Sequence, residues 1–349
     1  MIEMERKRLK EILDNFHNLK IAVIGDFFLD KWLEIDRALD ELSVETNLTA
    51  FQVVNKRCYA GAAGTVLSNL SALQAGELYA VGFLGDDGEA HEMIRILSNL
   101  NVNTGALFKS AQIMTPVYTK PVFLKEGGIE ETNRLDHRNI KPVPQELEQK
   151  IISALWDVAP RVDAVIASDQ LTHEGCGVLT PRVRQELAKL ADQFPNLVLY
   201  ADSRAFIKHF RNMIIKCNNI EALKILNTSD VYEKSSDLEE VKKSFLNLAG
   251  LTGMPVFVTC GSKGIMVKDE TGRPVLIPAV PLPPETKIDI VGAGDACNSG
   301  IVMSLCSGAS AQEAAFIGNL AAADTIQVIG ATGAATQDHV LALYDKYYG

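Results

Sequence analysis

Asp289-Ile290-Val291-Gly292-Ala293-Gly294-Asp295, continuing as Ala296-Cys297-Asn298-Ser299-Gly300, is the stretch around which this 349-residue chain is best read. Two glycines flank an alanine, and an acid then opens a helix-like run that reaches Leu305 and stops at Gly308. Small residues at a helix start let backbone N–H groups approach an anion, and the helix dipole adds partial positive charge there. Asp295 is out of place beside a bound anion unless its task is to take a proton. The pairing suits phosphoryl transfer: the amides of Gly292, Ala293 and Gly294 hold developing charge while Asp295 deprotonates an attacking hydroxyl. Taken alone, the tetrapeptide reads more readily as a loop with an Asp N-cap, and the rest of the chain is what reverses that reading.

Outward from this stretch, short apolar runs alternate with helical periodicity. Strands are expected at Ile21–Ile24, Leu78–Phe83, Ala164–Ala167, Leu197–Tyr200, Ala222–Leu226 and Val256–Thr259. Helices are expected near 62–75, 87–100, 145–157, 181–194 and 235–249, and Ser310-Ala311-Gln312-Glu313 reads as a capping box opening another. Continuous apolar strands separated by helices predict a doubly wound α/β fold, its mostly parallel sheet sandwiched by helices. Residues 31–57 and 112–136 break the rhythm with alternating, β-prone residues. They are expected to form a small antiparallel sheet, a lid beside a core of 1–30, 58–111 and 137–349, where ligands meet the carboxyl ends of the strands. An edge extension of the main sheet accounts for the same residues.

Lysine and arginine number 34 against 44 acids, a net charge of −10. This balance argues against nucleic acid or an anionic membrane as the main partner. The six cysteines form no Cys-x-x-Cys pair, so neither zinc nor a redox dithiol is indicated. There is no signal-peptide pattern and no apolar run of membrane-spanning length, and a cytoplasmic protein is expected. P-loop, dinucleotide and nucleophile-elbow motifs are absent.

Further motifs lie at the ends of the expected strands. Gly25-Asp26-Phe27-Phe28-Leu29-Asp30 places two carboxylates after a strand, where they are able to accept from sugar hydroxyls, although taken alone Asp26 reads better as a turn cap and Asp30 as a solvated acid. Ala60-Gly61-Ala62-Ala63-Gly64-Thr65 leads a helix with small residues, through either close ligand approach or tight packing. Asn227-Thr228-Ser229-Asp230 follows the Ala222–Leu226 run and serves equally as an Asx turn. Thr259-Cys260-Gly261-Ser262-Lys263-Gly264 turns between two strand-like runs, and Asn319 and Gly330-Ala331-Thr332-Gly333 lie beyond the acid.

Together, from Ile21 to about Gly333, these motifs resemble the ribokinase-like (pfkB) carbohydrate kinases. The resemblance implies ATP and Mg2+ as cofactors and Asp295 as catalytic base, with Gly292, Ala293 and Gly294 as the anion hole. It assigns Asp26, Asp30, Gly61 and Gly64 to the sugar pocket. It puts Asn227 and Asp230 by magnesium, and Thr259, Gly261, Gly264 and Asn319 by the nucleotide. A monovalent cation, K+, is implied near the Asp289 loop. Lys120 in Thr119-Lys120-Pro121-Val122, Arg134 in Arg134-Leu135-Asp136, and Asp169 after Ser168 are similar to the branch that phosphorylates heptose 7-phosphates. With Gly349 as its last residue, the chain is expected to lack the nucleotidyltransferase domain of that branch's bifunctional members. Ala60, Gly64, Asp230, Ile290 and Val291 depart from the family pattern. The expected function is therefore ATP-dependent phosphorylation of a sugar or sugar phosphate, with a nucleoside kinase or a non-catalytic sensor as alternatives. An exposed lid edge would allow a homodimer through the lid, while the sequence does not fix the oligomeric state.

Overall fold

The computed structural model describes residues 4–226, 231–330 and 333–349. Helix α1 (Arg6–Asp14) precedes β1 (Lys20–Gly25), β2 (Phe27–Ile35), β3 (Glu41–Leu42), β4 (Thr49–Ala50) and β5 (Val53–Ala62). Helix α2 (Ala63–Ala72), β6 (Glu77–Gly85), α3 (Gly88–Asn99) and β7 (Val102–Ser110) follow, then β8 (Val117–Lys125), β9 (Gly128–Glu131) and β10 (Leu135–His137). Next come α4 (Gln145–Val158), β11 (Ala164–Asp169), α5 (Pro181–Gln193), β12 (Val198–Ser203), β13 (Ile214–Asn218) and α6 (Asn219–Ile225). The chain continues through α7 (Val231–Lys234), α8 (Leu238–Thr252), β14 (Val256–Thr259), β15 (Ile265–Lys268) and β16 (Pro274–Ile277). It closes with α9 (Ala293–Cys306), α10 (Ala311–Thr325) and α11 (Gln337–Tyr347).

Nine strands form the main sheet in the order β16-β15-β14-β13-β12-β11-β1-β6-β7, parallel from β7 to β14 and antiparallel beyond. Alternate residues of each buried strand feed opposite layers. Along β1, Ile21 and Val23 join Leu9, Val66, Leu67, Ile301 and Ile317 on one face. Ala22 and Ile24 join Ile151, Leu155, Val183, Val241 and Phe245 on the other. Both faces are thus sealed by helices, which is why these strands read as unbroken apolar runs. Strand order reverses between β1 and β11, so the carboxyl ends there open into a crevice.

The second sheet has the order β10-β8-β2-β5, with β9 paired to β8. Its strands were expected to be antiparallel throughout, yet β2 and β8 are parallel. Both leave the edge of the main domain in the same direction, so they meet side by side. The sheet also takes in Phe27–Asp30 and the end of β5, residues assigned above to the core. Only Asp26 separates β1 from β2, so the chain changes sheets there rather than after residue 30.

The strand expected at Ala222–Leu226 is helix α6, and the real strand is Ile214–Asn218. Asn218 and Glu221 form a reciprocal capping box, each side chain accepting the other's backbone N–H at 2.8 Å. That local pairing starts a helix where composition alone favours a strand. No described helix is long and apolar enough to cross a membrane.

Candidate active site

At the carboxyl ends of the parallel strands lies a cavity of about 520 Å³ whose lining comes from both sheets. Helix α9 points its N-terminus into it. Gly292 caps that helix at φ 82°, ψ −5°, a left-handed conformation that a glycine takes without strain. The Ala293 N–H turns back to the Ile290 carbonyl at 3.3 Å. The N–H groups of Gly292, Gly294 and Asp295 have no partner among the described residues. Of the three amides expected to hold an anion, those of Gly292 and Gly294 are thus unpartnered among the described residues while that of Ala293 is engaged, and the Asp295 N–H is unpartnered beside them.

A buried polar chain fixes α9 against the sheet. The Tyr200 hydroxyl donates to Asn298 Oδ1 at 2.9 Å, and Asn298 Nδ2 donates to Asp202 Oδ2 at 2.7 Å. Lys216 Nζ donates to the same Asp202 oxygen at 2.8 Å. A Cβ on Gly294 would come within 3.1 Å of Lys216 Nζ, so the ammonium lies against the free amides. Burial works against the Lys216 charge, but the Asp202 carboxylate outweighs it and holds the ammonium above the ordinary lysine range.

Asp295, half-buried in the first turn of α9, has its pKa pushed up to about 7. Burial is the main cause; Asp202 adds to it, while Lys216 and Arg204 oppose it. A carboxylate tuned to neutrality is well matched to taking a proton at physiological pH.

The other end of the cavity is built by the second sheet. Asp30 on β2 faces it, its pKa raised by burial and lowered again by Lys120 and Arg134. Lys120 Nζ stands 4.8 Å from the Trp32 ring centroid, and Arg134 lies over the Tyr118 ring at 4.2 Å while paired with Asp136 at 2.6 Å. Gly61 does not line the cavity; a Cβ there would press on Asp30 Oδ2 at 2.9 Å, so it makes room for that carboxylate. Gly64 serves packing against Ala60, whose Cβ would be 2.6 Å away. Ala62 between them holds φ 54° and ψ −119°, a strained conformation at the cavity wall.

Two expected sugar ligands face elsewhere. Asp26 is buried, and its carboxylate accepts the N–H groups of Gln170, Leu171 and Val178 at 2.8–3.1 Å. It staples the loop after β11 and is not part of the cavity lining. Asp169 is also buried, where it accepts the Ser203 hydroxyl at 2.7 Å; burial and then the Asp26 charge raise its pKa. Its neighbour Gln170 reaches the cavity instead.

On the nucleotide side, Thr259 ends β14, and Gly261 and Gly264 bound the turn that follows, outside the cavity lining. Asn319 is buried on α10, its Nδ2 donating to the Ile277 and Pro278 carbonyls. It braces the end of β16 rather than facing a ligand. Asn227 and Asp230 lie outside the described residues.

Sequence reading passed over Asp202, Arg204, Lys216, Asn218 and Glu221, on or just after β12 and β13 and in the first turn of α6, all in the cavity. One signal was present: Asn218-Asn219-Ile220-Glu221 has the Asn-x-x-Glu spacing sought nine residues later. Glu221 is raised in pKa by burial and by Asp202, with Lys216 opposing. Among the described residues no three His, Cys, Asp or Glu side chains cluster as a metal cage. One or two carboxylates on a cavity wall instead suit a Mg2+ shared with nucleotide phosphates and water.

The family described as pfkB family carbohydrate kinase matches residues 18–338. Over 339 residues the chain is 24% identical to the bifunctional protein HldE of Trichlorobacter lovleyi, covering 97% of this chain and 65% of that protein. It is 28% identical over 319 residues to the bifunctional protein HldE of Desulfatibacillum aliphaticivorans, covering 90% and 61%. It thus spans less than two thirds of the length of these relatives. Phosphofructokinase-2 from Escherichia coli, solved with substrates and products, superposes with a TM-score of 0.67 at 15% identity, covering 95% of this chain and 100% of that one. Arabidopsis thaliana ribokinase, solved with ribose and ATP, gives 0.65 at 17%, covering 93% and 98%. Sequence motifs, architecture and comparisons agree: the chain belongs to the pfkB family of carbohydrate kinases and has the ribokinase-like fold.

Proposed function

We propose that this kinase transfers the γ-phosphoryl group of ATP to a hydroxyl of a sugar or sugar phosphate, with Asp295 as general base. The observation that carries this reading is Asp295 itself, a carboxyl with pKa about 7 beside unpartnered amides at the start of α9. The acceptor hydroxyl gives its proton to Asp295 as its oxygen attacks phosphorus. The Gly292, Gly294 and Asp295 amides and the Lys216 ammonium take up the charge that develops. Asp30 holds acceptor hydroxyls at the other end of the cavity, and Lys120 and Arg134 supply positive charge for an acceptor that carries a phosphate.

Magnesium, when bound, neutralises the nucleotide phosphates, and Asn218 and Glu221 with Asp202 are the residues that would hold its water shell. Asn227 and Asp230 give up that assignment. A monovalent cation would belong near the Asp289 turn, whose N–H donates to the Ile326 carbonyl at 2.8 Å. The small sheet acts as the lid, and exposed Val53 on β5, with Leu42, Val44, Leu48 and Phe51 on and beside the separate β3–β4 hairpin, favours pairing of two lids in a homodimer.

The test is ADP release with Mg-ATP over sugars, sugar phosphates and nucleosides, alongside Asp295→Asn. Turnover on one acceptor, falling by about two to four orders of magnitude in the variant, is the expected outcome. Unchanged turnover in the variant removes Asp295 as the base, and preference for a nucleoside moves the enzyme to another acceptor class.

A further inference from the structure

Four cations line the cavity, and three have visible partners. Lys216 is paired with Asp202, Arg134 with Asp136, and Lys120 stands over Trp32. The Arg204 side chain makes no ion pair, hydrogen bond or aromatic contact among the described residues, although it lines the same cavity. Its root, by contrast, is held firmly. The Arg204 N–H donates to the Asp169 carbonyl at 3.0 Å, and Ser203 is tied on one side to Asp169 and on the other to the Phe206 N–H. An exposed guanidinium on a fixed stem, one residue beyond β12, is preorganised to close on an anion without moving the backbone.

The cavity's charges divide into two groups. Lys120 and Arg134 are the cations that act on Asp30, at the acceptor end. Arg204 acts on Asp295 and Glu221, at the end where the phosphoryl group must pass. Lys216 is there already paired with Asp202, so Arg204 is the cation without a partner that can join it in meeting the charge of the incoming nucleotide phosphates.

We propose that Arg204 is a catalytic residue, a built-in arginine whose guanidinium grips the oxygens of the γ-phosphoryl group most tightly during its transfer. This rests on the phosphoryl-transfer reading above. In the step, the acceptor O–P bond forms and the bridging P–O bond to ADP breaks, its electron pair leaving with ADP and the acceptor proton going to Asp295. Arg204 exchanges no proton. Its planar fork matches the phosphoryl oxygens, and such arginines act on charge in the transition state.

The experiment measures Mg-ADP affinity by calorimetry with and without aluminium fluoride, a mimic of the transferring group, in the full chain and in Arg204→Ala and Arg204→Lys. Thermal melting confirms that the variants fold. Wild type should bind Mg-ADP roughly a hundredfold tighter with fluoroaluminate; Arg204→Ala should lose most of that gain while Mg-ADP alone stays within about threefold, and Arg204→Lys should recover part. Full tightening in Arg204→Ala overturns the assignment. So does no tightening in a wild type that binds Mg-ADP, or an equal loss of affinity without fluoride, which would make Arg204 a ground-state nucleotide contact. A wild type that does not bind Mg-ADP overturns the phosphoryl-transfer reading itself, and this assignment with it.

Discussion

Asp295 owes its proton affinity to burial and to Asp202, and the same groups make its titration a readout of mechanism. The base must be ionised to act, and its ionised fraction grows as pH rises through about 7. In the free enzyme kcat/KM should therefore climb about tenfold per pH unit on the acid side and level off above that pKa. A profile flat from pH 5.5 to 8 would exclude a titrating base there. Lys216 lowers the Asp295 pKa, so Lys216→Gln should move the rising limb to higher pH as well as reduce turnover. Asp26 and Asp30 look alike in sequence, two carboxylates after one strand, and nothing local separates them. What separates them is a loop some 150 positions away that brings three N–H groups to Asp26. Asp26→Ala leaves those donors unpaired in the interior and should cost about 3 kcal/mol or more in urea unfolding. Asp30→Ala should cost about 1 kcal/mol or less and act on acceptor KM.

Among the elements, α6 shows where sequence reading lost its way. Seven residues with apolar positions at Ile220, Ala222 and Leu223 carry too little periodicity to separate a helix turn from a strand, and the capping box is the deciding feature. With that element placed at Asn219–Ile225, the Asn-x-x-Glu pair proposed here is Asn218 and Glu221, nine residues before the one expected. Glu221→Gln keeps a side-chain acceptor for the Asn218 N–H but removes the charge. It should leave the melting temperature nearly unchanged and raise the Mg2+ concentration needed for half-maximal rate; an unaltered Mg2+ curve would separate Glu221 from the metal. The small sheet makes the complementary case. Lys120→Ala should raise KM for phosphorylated acceptors about tenfold or more with kcat little changed, while neutral sugars, if used at all, should be indifferent.

In the whole molecule, the parallel sheet was legible because its strands are buried on both faces and so read as continuous apolar runs. The N-terminal turn of α9 was legible because a Gly-Ala-Gly-Asp run states its chemistry locally. The cavity wall at Asp202, Arg204, Lys216 and Glu221 was not, because these are single polar residues at strand ends, brought together only by the order β13-β12-β11-β1. If lids pair, light scattering should give twice the 38.0 kDa chain mass, and Val53→Glu should shift it toward the monomer. The charged, exposed rim of the cavity should make nucleotide association weaken with added salt. The base, the amides and Arg204 ride on the large sheet and its helices, whereas Asp30, Lys120 and Arg134 ride on or beside the small one, and β1 passes into β2 through Asp26 alone. Choice of acceptor and transfer of phosphate are thus inherited on separate pieces of backbone. A graft that exchanged residues of the small sheet with those of a relative should change what is phosphorylated while leaving how it is phosphorylated intact.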